Sequence, residues 1–157
     1  MSQEKDTSTS DALSESQKEN LRLHIVQTAS KLLGIPYKLG AEWENVYALP
    51  QYLDCSELTE GVYLFHKLRM PDGSQNQYNF TIQVPIPKPG DLAFLGRGGK
   101  TDQIYHVGLV FDHDSILEAR AFDKDARFRT GEVITRPKSA WERSPNFCGY
   151  RAHAKLI

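Results

Sequence analysis

The chain has 157 residues, 39% of them hydrophobic and 25% charged, with a formal net charge of -1 at neutral pH. That length holds one domain with a real core, and the composition is ordinary for a globular protein. The near-zero charge argues against a nucleic-acid binder, and no apolar run is long enough for a membrane span.

Residues 1–16 are rich in Ser, Thr, Asp and Glu and are expected to form a disordered leader, with a single domain over 17–157. Residues 1–18 contain no apolar signal-peptide core, so synthesis in the cytoplasm without the common secretory route is expected. Ser16 with Glu19 fits a capping box. Leu21, Ile25, Ala29 and Leu32 follow at helical spacing, and Gly34 is a stop signal. A loop then runs to Leu53. Asp54 with Glu57 reads as a second capping box, opening a helix with Leu58, Val62 and Phe65 on one face. This helix is expected to end near Arg69, before the turn Pro71-Asp72-Gly73.

Beyond Pro89-Gly90 the pattern changes to strands: 91–95, 104–111, 115–121, 132–135 and 147–154. Residues 96–102 between them read as a Gly-rich solvated loop, without the G-x-x-x-x-G-K-[ST] pattern of a P-loop. Helices first and a meander of strands afterwards indicate an α+β domain with an antiparallel sheet.

Two cysteines, Cys55 and Cys148, are too few for a disulfide framework, and neither stands in a C-x-x-C pair. Cys148 falls in a late strand and reads as core. Cys55 falls in the first turn of a helix, where free backbone N–H groups and the helix dipole favour a thiolate. A nucleophilic thiol also needs a base and an orienting group. His106 opens the strand His106-Val107-Gly108-Leu109-Val110, and packing that strand against the Cys55 helix would pair thiol with imidazole. His24, His66, His113 and His153 have no metal-ligand spacing, and no metal or cofactor is expected.

Four stretches resemble one family in order and spacing. Gly34-Ile35-Pro36-Tyr37 with Gly40 looks like a G-x-P-Y-x-x-G element, and Asp54-Cys55-Ser56 with Leu58 like a D-C-S-G-L nucleophile helix. Pro89-Gly90-Asp91-Leu92-Ala93-Phe94 is similar to P-G-D-L-x-F, and His106-Val107-Gly108-Leu109 to H-V-G-I. The sequence resembles the NlpC/P60 family of papain-like cell-wall peptidases. The resemblance implies Cys55 as nucleophile and His106 as base, with Tyr37, Asp54 and Ser56 holding the free amine of a wall peptide. The implied substrate is a peptidoglycan peptide, cut between D-glutamate's side-chain carboxyl and a diamino acid. An amidase or acyltransferase of the same chemistry, or a non-catalytic binding module, are the alternatives. Delivery to the wall would come by phage lysis, a phage tail or a secretion system.

Two positions depart from the family pattern. Glu57 stands where Gly is usual; as a helix cap it would occupy Asp54, and its charge would oppose a nearby thiolate unless it pointed away. Glu118 stands where His or a small polar residue is usual, and a carboxylate can orient an imidazole. That role requires an odd number of residues in the hairpin tip, which puts Glu118 on the His106 face; an even number opposes the faces. Arg120 shares the face of Glu118 and is a candidate for a substrate carboxylate. Trp43, in the loop before Cys55, is a candidate cleft wall.

Overall fold

The computed structural model describes residues 12–122 and 130–157. The first helix, α1 (Glu15–Ser30), starts two residues earlier than expected: Ser14 caps it, with Gln17 completing the capping box. The expected leader therefore gives way to ordered chain by Ser14, and its residues 1–11 lie outside the described part.

Helix α2 (Cys55–Phe65) is capped by Asp54, whose Oδ1 accepts the Glu57 N–H at 2.9 Å. It stops earlier than the apolar pattern indicates. Lys67 takes the left-handed conformation (φ 61), and the N–H groups of Lys67 and Leu68 close back onto Leu64 and Tyr63. This is a Schellman stop made without glycine. Leu68 is still buried, because the chain turns back over the core.

Helix α3 (Ser74–Phe80) has too polar a sequence to show periodicity. It is held by Gln77, fully buried, which donates to the carbonyls of Ser56 and Pro71 and accepts from the Thr59 hydroxyl. The strands are β1 (Ile82–Val84), β2 (Leu92–Gly96), β3 (Ile104–Val110), β4 (Ser115–Ala121), β5 (Gly131–Pro137) and β6 (Phe147–Ala152). They form one antiparallel sheet in the order β1-β6-β2-β3-β4-β5. A short helix, α4 (Lys138–Glu142), connects β5 to β6.

Period-two alternation divides the sheet between two apolar layers. Leu92 and Phe94 of β2, Val107 and Leu109 of β3, and Leu117 and Ala119 of β4 pack against Ile25 and Ala29 of α1 and Leu58, Val62 and Tyr63 of α2. The opposite face carries Ala93, Leu95, Val110 and Ile116, covered by Trp141 of α4 and by Tyr150. The Pro89-Gly90-Asp91 turn holds the first layer in place. Asp91, 1% exposed, binds Arg22 of α1 at 2.7 Å and the Lys88 N–H at 2.8 Å, and Tyr63 donates its hydroxyl to the Gly90 carbonyl. Arg22 donates further to the carbonyls of Pro89 and Leu156. A family-like motif thus joins α1, α2 and the sheet. Among the described residues no helix is long and apolar enough to cross a membrane.

Candidate active site

Cys55 is the first residue of α2, where an amide N–H has no intrahelical acceptor. Its thiol lies 4.0 Å from the Tyr105 carbonyl and beside the His106 ring. How His106 arrives there differs from the simple expectation. Helix α2 packs on the Val107 and Leu109 face of β3, whereas His106, paired with Leu95, belongs to the other face. A bulge at the start of β3 resolves the conflict: Gly96 pairs with Ile104, so Tyr105 is an extra residue. A bulge re-aims side chains and increases local twist. Here it turns Ile104 into the helix-side core and leaves Tyr105 exposed, so thiol and imidazole meet at the strand's end.

Glu118 meets His106 from β4. The pair Val110↔Ile116 leaves the odd stretch 111–115 as the hairpin tip, so His106 and Glu118 share a face. Glu118 Oε1 lies 2.8 Å from His106 Nε2, which leaves Nδ1 as the nitrogen toward the thiol. The carboxylate is fully buried, and both oxygens are occupied. Arg136 of β5 donates Nε to Oε2 at 2.6 Å and Nη2 to Oε1 at 2.9 Å. Trp141 donates its indole N–H to Oε2 at 3.0 Å. The same indole stacks on the imidazole, with centroids 5.3 Å apart and planes at 17°. Gly108 makes room for this stack, since a Cβ there would stand 2.9 Å from Trp141 Cζ2 and 2.6 Å from Ile116 Cγ2.

Burial works against charge on His106, but the adjoining Cys55 thiol and the Glu118 carboxylate outweigh it and raise the imidazole to about 9. Burial likewise opposes the Glu118 charge, yet its hydrogen bonds to His106 and Arg136 hold the carboxyl well below the usual range. The site therefore favours an imidazolium at neutral pH, between a sulfur and a carboxylate.

A cleft of about 630 Å³ opens over this group, lined by Tyr37, Asp54, Ser56, Tyr105, Arg120 and Arg136 as well as Cys55 and His106. Tyr37, Asp54, Ser56 and Arg120, the candidates named from the sequence, thus line one cleft with Cys55 and His106. Asp54 is partly engaged: besides capping α2, its Oδ2 accepts the Gly40 N–H at 3.0 Å. Trp43 does not line this cleft. It is 7% exposed, lies against Gly61 of α2 and donates its indole N–H to the Ala48 carbonyl. Its ring is apolar enough to be worth more in the core than at a wet wall.

Glu57 also departs from expectation. Its side chain leaves the helix start and accepts the Trp43 backbone N–H at 2.6 Å, so the second capping box is only half made. The carboxylate points away from the thiol and pins the preceding loop. Arg136 and Trp141 were not legible as site residues, because their roles rest on β4–β5 pairing and on a helix too short to leave a pattern. The pairing Ile116↔Arg136 is the structural signal that finds Arg136.

The model of the NlpC/P60 family matches residues 34–134. Among solved structures, a lipoprotein-like NLP/P60 protein from Staphylococcus aureus subsp. aureus Mu50 is 21% identical with a TM-score of 0.66, over 85% of this chain and 41% of its own. An NlpC/P60 protein from Bacillus cereus ATCC 10987 is 21% identical with a TM-score of 0.67, over 84% of this chain and 40% of its own. This chain thus spans about two fifths of the length of those two proteins. The peptidoglycan hydrolase RipB from Mycobacterium tuberculosis is 21% identical with a TM-score of 0.64, over 89% of this chain and 67% of its own. No curated protein sequence matches. The family match, which spans well over half of the chain and contains Cys55, His106 and Glu118, establishes together with the shared α+β fold that the chain belongs to the NlpC/P60 family.

Proposed function

We propose that the chain is a cysteine peptidase of peptidoglycan peptides, cutting the bond between the γ-carboxyl of D-glutamate and a diamino acid. The observation that carries it is the juxtaposition of Cys55, at a helix N-terminus, with an imidazole held by a buried carboxylate. The similar fold of RipB, a peptidoglycan hydrolase, supports the substrate class.

In this reading the Cys55 sulfur attacks the amide carbon, and the Cys55 N–H stabilises the oxyanion. His106 Nδ1 gives its proton to the leaving amine, and the amine departs from an acyl-enzyme. Nδ1 then takes a proton from water, hydroxide adds to the thioester, and the acid leaves as the sulfur regains its negative charge. Asp54 lies in the cleft with Tyr37 and Ser56, which suits capture of the free amine of a peptide's first residue. Digestion of defined muropeptides followed by mass spectrometry tests the reading. Release of L-Ala-γ-D-Glu from a short peptide with a free amine is expected. Absence of cleavage, or cleavage only of amine-blocked peptides, counts against it.

A further inference from the structure

We propose that Arg136 is a positioning residue that makes a carboxylate workable as the partner of His106, by keeping Glu118 charged while the imidazole alternates between its two protonation states. This rests on the cysteine-peptidase reading above. The difficulty it addresses is physical. A fully buried carboxylate beside an imidazolium forms a neutral pair, but the pair becomes a net anion whenever His106 gives up its proton. An uncompensated buried anion is strongly disfavoured. Left alone, Glu118 would therefore hold His106 protonated, and Nδ1 would rarely be free to accept a proton from water.

Arg136 supplies a charge that does not alternate, since guanidinium stays protonated throughout the working range. Its two-point contact with Glu118, at 2.6 and 2.9 Å, is fork-like and fixes the carboxylate as well as neutralising it. Trp141 adds a donor to Oε2, and the Arg136 guanidinium lies over the Trp141 ring at 5.5 Å. Both carboxylate oxygens thus have a donor other than the imidazole, Oε1 from Arg136 and Oε2 from Arg136 and Trp141. His106 can then lose the Nδ1 proton while Nε2–H still donates to Glu118, the tautomer that deacylation requires. Among the described residues, the side chains facing His106 are Cys55 and Glu118, with Arg136 behind Glu118; Arg120, on the same strand face, is exposed in the cleft.

The proposal predicts coupling rather than a simple loss. The experiment follows His106 by ¹⁵N NMR titration and follows turnover of L-Ala-γ-D-Glu-diamino acid peptide, in Arg136→Met, Arg136→Lys, Glu118→Gln and the double variant Glu118→Gln/Arg136→Met. In Arg136→Met, His106 should hold its proton about tenfold more tightly, and kcat should fall about 10- to 100-fold with KM little changed. Arg136→Lys, which keeps the charge, should titrate near the parent and recover part of the rate. In the double variant the amide needs no counter-charge, so activity should match Glu118→Gln alone. Unchanged His106 titration in Arg136→Met overturns the proposal. So does an equal loss of rate when Arg136→Met is added to the parent and to the Glu118→Gln variant. If Arg136→Met does not fold, the Lys variant and the double variant still decide. The titration needs no substrate, so the proposal can stand or fall separately from the substrate assignment.

Discussion

Glu118 reaches His106 across the β3–β4 hairpin, with Oε1 2.8 Å from Nε2. The contact exists because the tip spans 111–115, which sets both residues on one face of the sheet. Glu118→Ala should lower kcat by about 10- to 1000-fold, less than loss of the nucleophile, and Glu118→Gln should retain more activity. The pH profile gives a second readout. With His106 raised to about 9, activity that needs the imidazolium falls as pH rises through that value. Glu118→Gln removes the anion that favours the charged ring, so the alkaline limb should move to lower pH. Near-normal rates for Glu118→Ala would remove Glu118 from the site.

Cys55 should react with a thiol alkylator much faster than Cys148. The first sits at a helix N-terminus beside His106 and opens onto the cleft; burial pushes the Cys148 thiol up. Cys55→Ala should abolish hydrolysis and leave the circular dichroism spectrum unchanged. Equal labelling of both cysteines in the folded protein would contradict the mechanism.

Asp54 serves both helix and cleft, so two substitutions separate its roles. Asp54→Asn keeps an oxygen for the Glu57 N–H and should retain most of the stability, while weakening peptides that carry a free amine, chiefly through KM. Asp54→Ala also loses the cap, at a cost of about 1 kcal/mol. Parallel assays with free and acetylated peptides check this: a loss of equal size for both would assign Asp54 to the fold alone.

Gly108→Ala should disturb the site without touching a reacting group. The added Cβ would press on Ile116 and Trp141, so a loss of about 1–3 kcal/mol in stability is expected from overpacking. Displacement of Trp141 should also lower kcat, and denaturant melts with kinetics at a temperature where the variant stays folded would measure both.

Glu60 lies in an acidic group with Glu57 and Asp72, the one set among the described residues arranged so that it could hold a metal ion. Burial first, then the charges of Glu57 and Asp72, raise its carboxyl from 4.5 to about 7. A group raised on folding contributes stability that is complete below its unfolded value and lost as pH rises through the folded one. Glu60→Gln should therefore be more stable than the parent near pH 8, by about 1 kcal/mol or less because the side chain is partly exposed. The difference should vanish near pH 4, and thermal melts at the two pH values test it.

The antiparallel β3–β4 hairpin, the capped helix that begins at Cys55 and the family itself were legible in the chain, because each rests on local pattern: alternation over 104–111, Asp54 before an apolar helix face, four short motifs in order. The boundaries 115–121 could be read for the same reason. Helix α3 and helix α4 could not, since one is seven residues long with only Tyr78 and Phe80 apolar and the other is only five residues long. Nor could the surroundings of the Cys55–His106 pair. That Trp43 belongs to the core follows from the bare surface of Gly61, and the direction of Glu57 from a loop amide that happens to come within 2.6 Å. The Tyr105 bulge, which carries His106 around the sheet's end, depends on the register of β2 against β3. Arg136 stands 18 residues beyond Glu118 and becomes its counter-ion only through β4–β5 pairing. Local sequence specifies which residues can react; long-range strand pairing determines which charges surround them, because a side chain's electrostatic neighbours are set by distance in space and not along the chain.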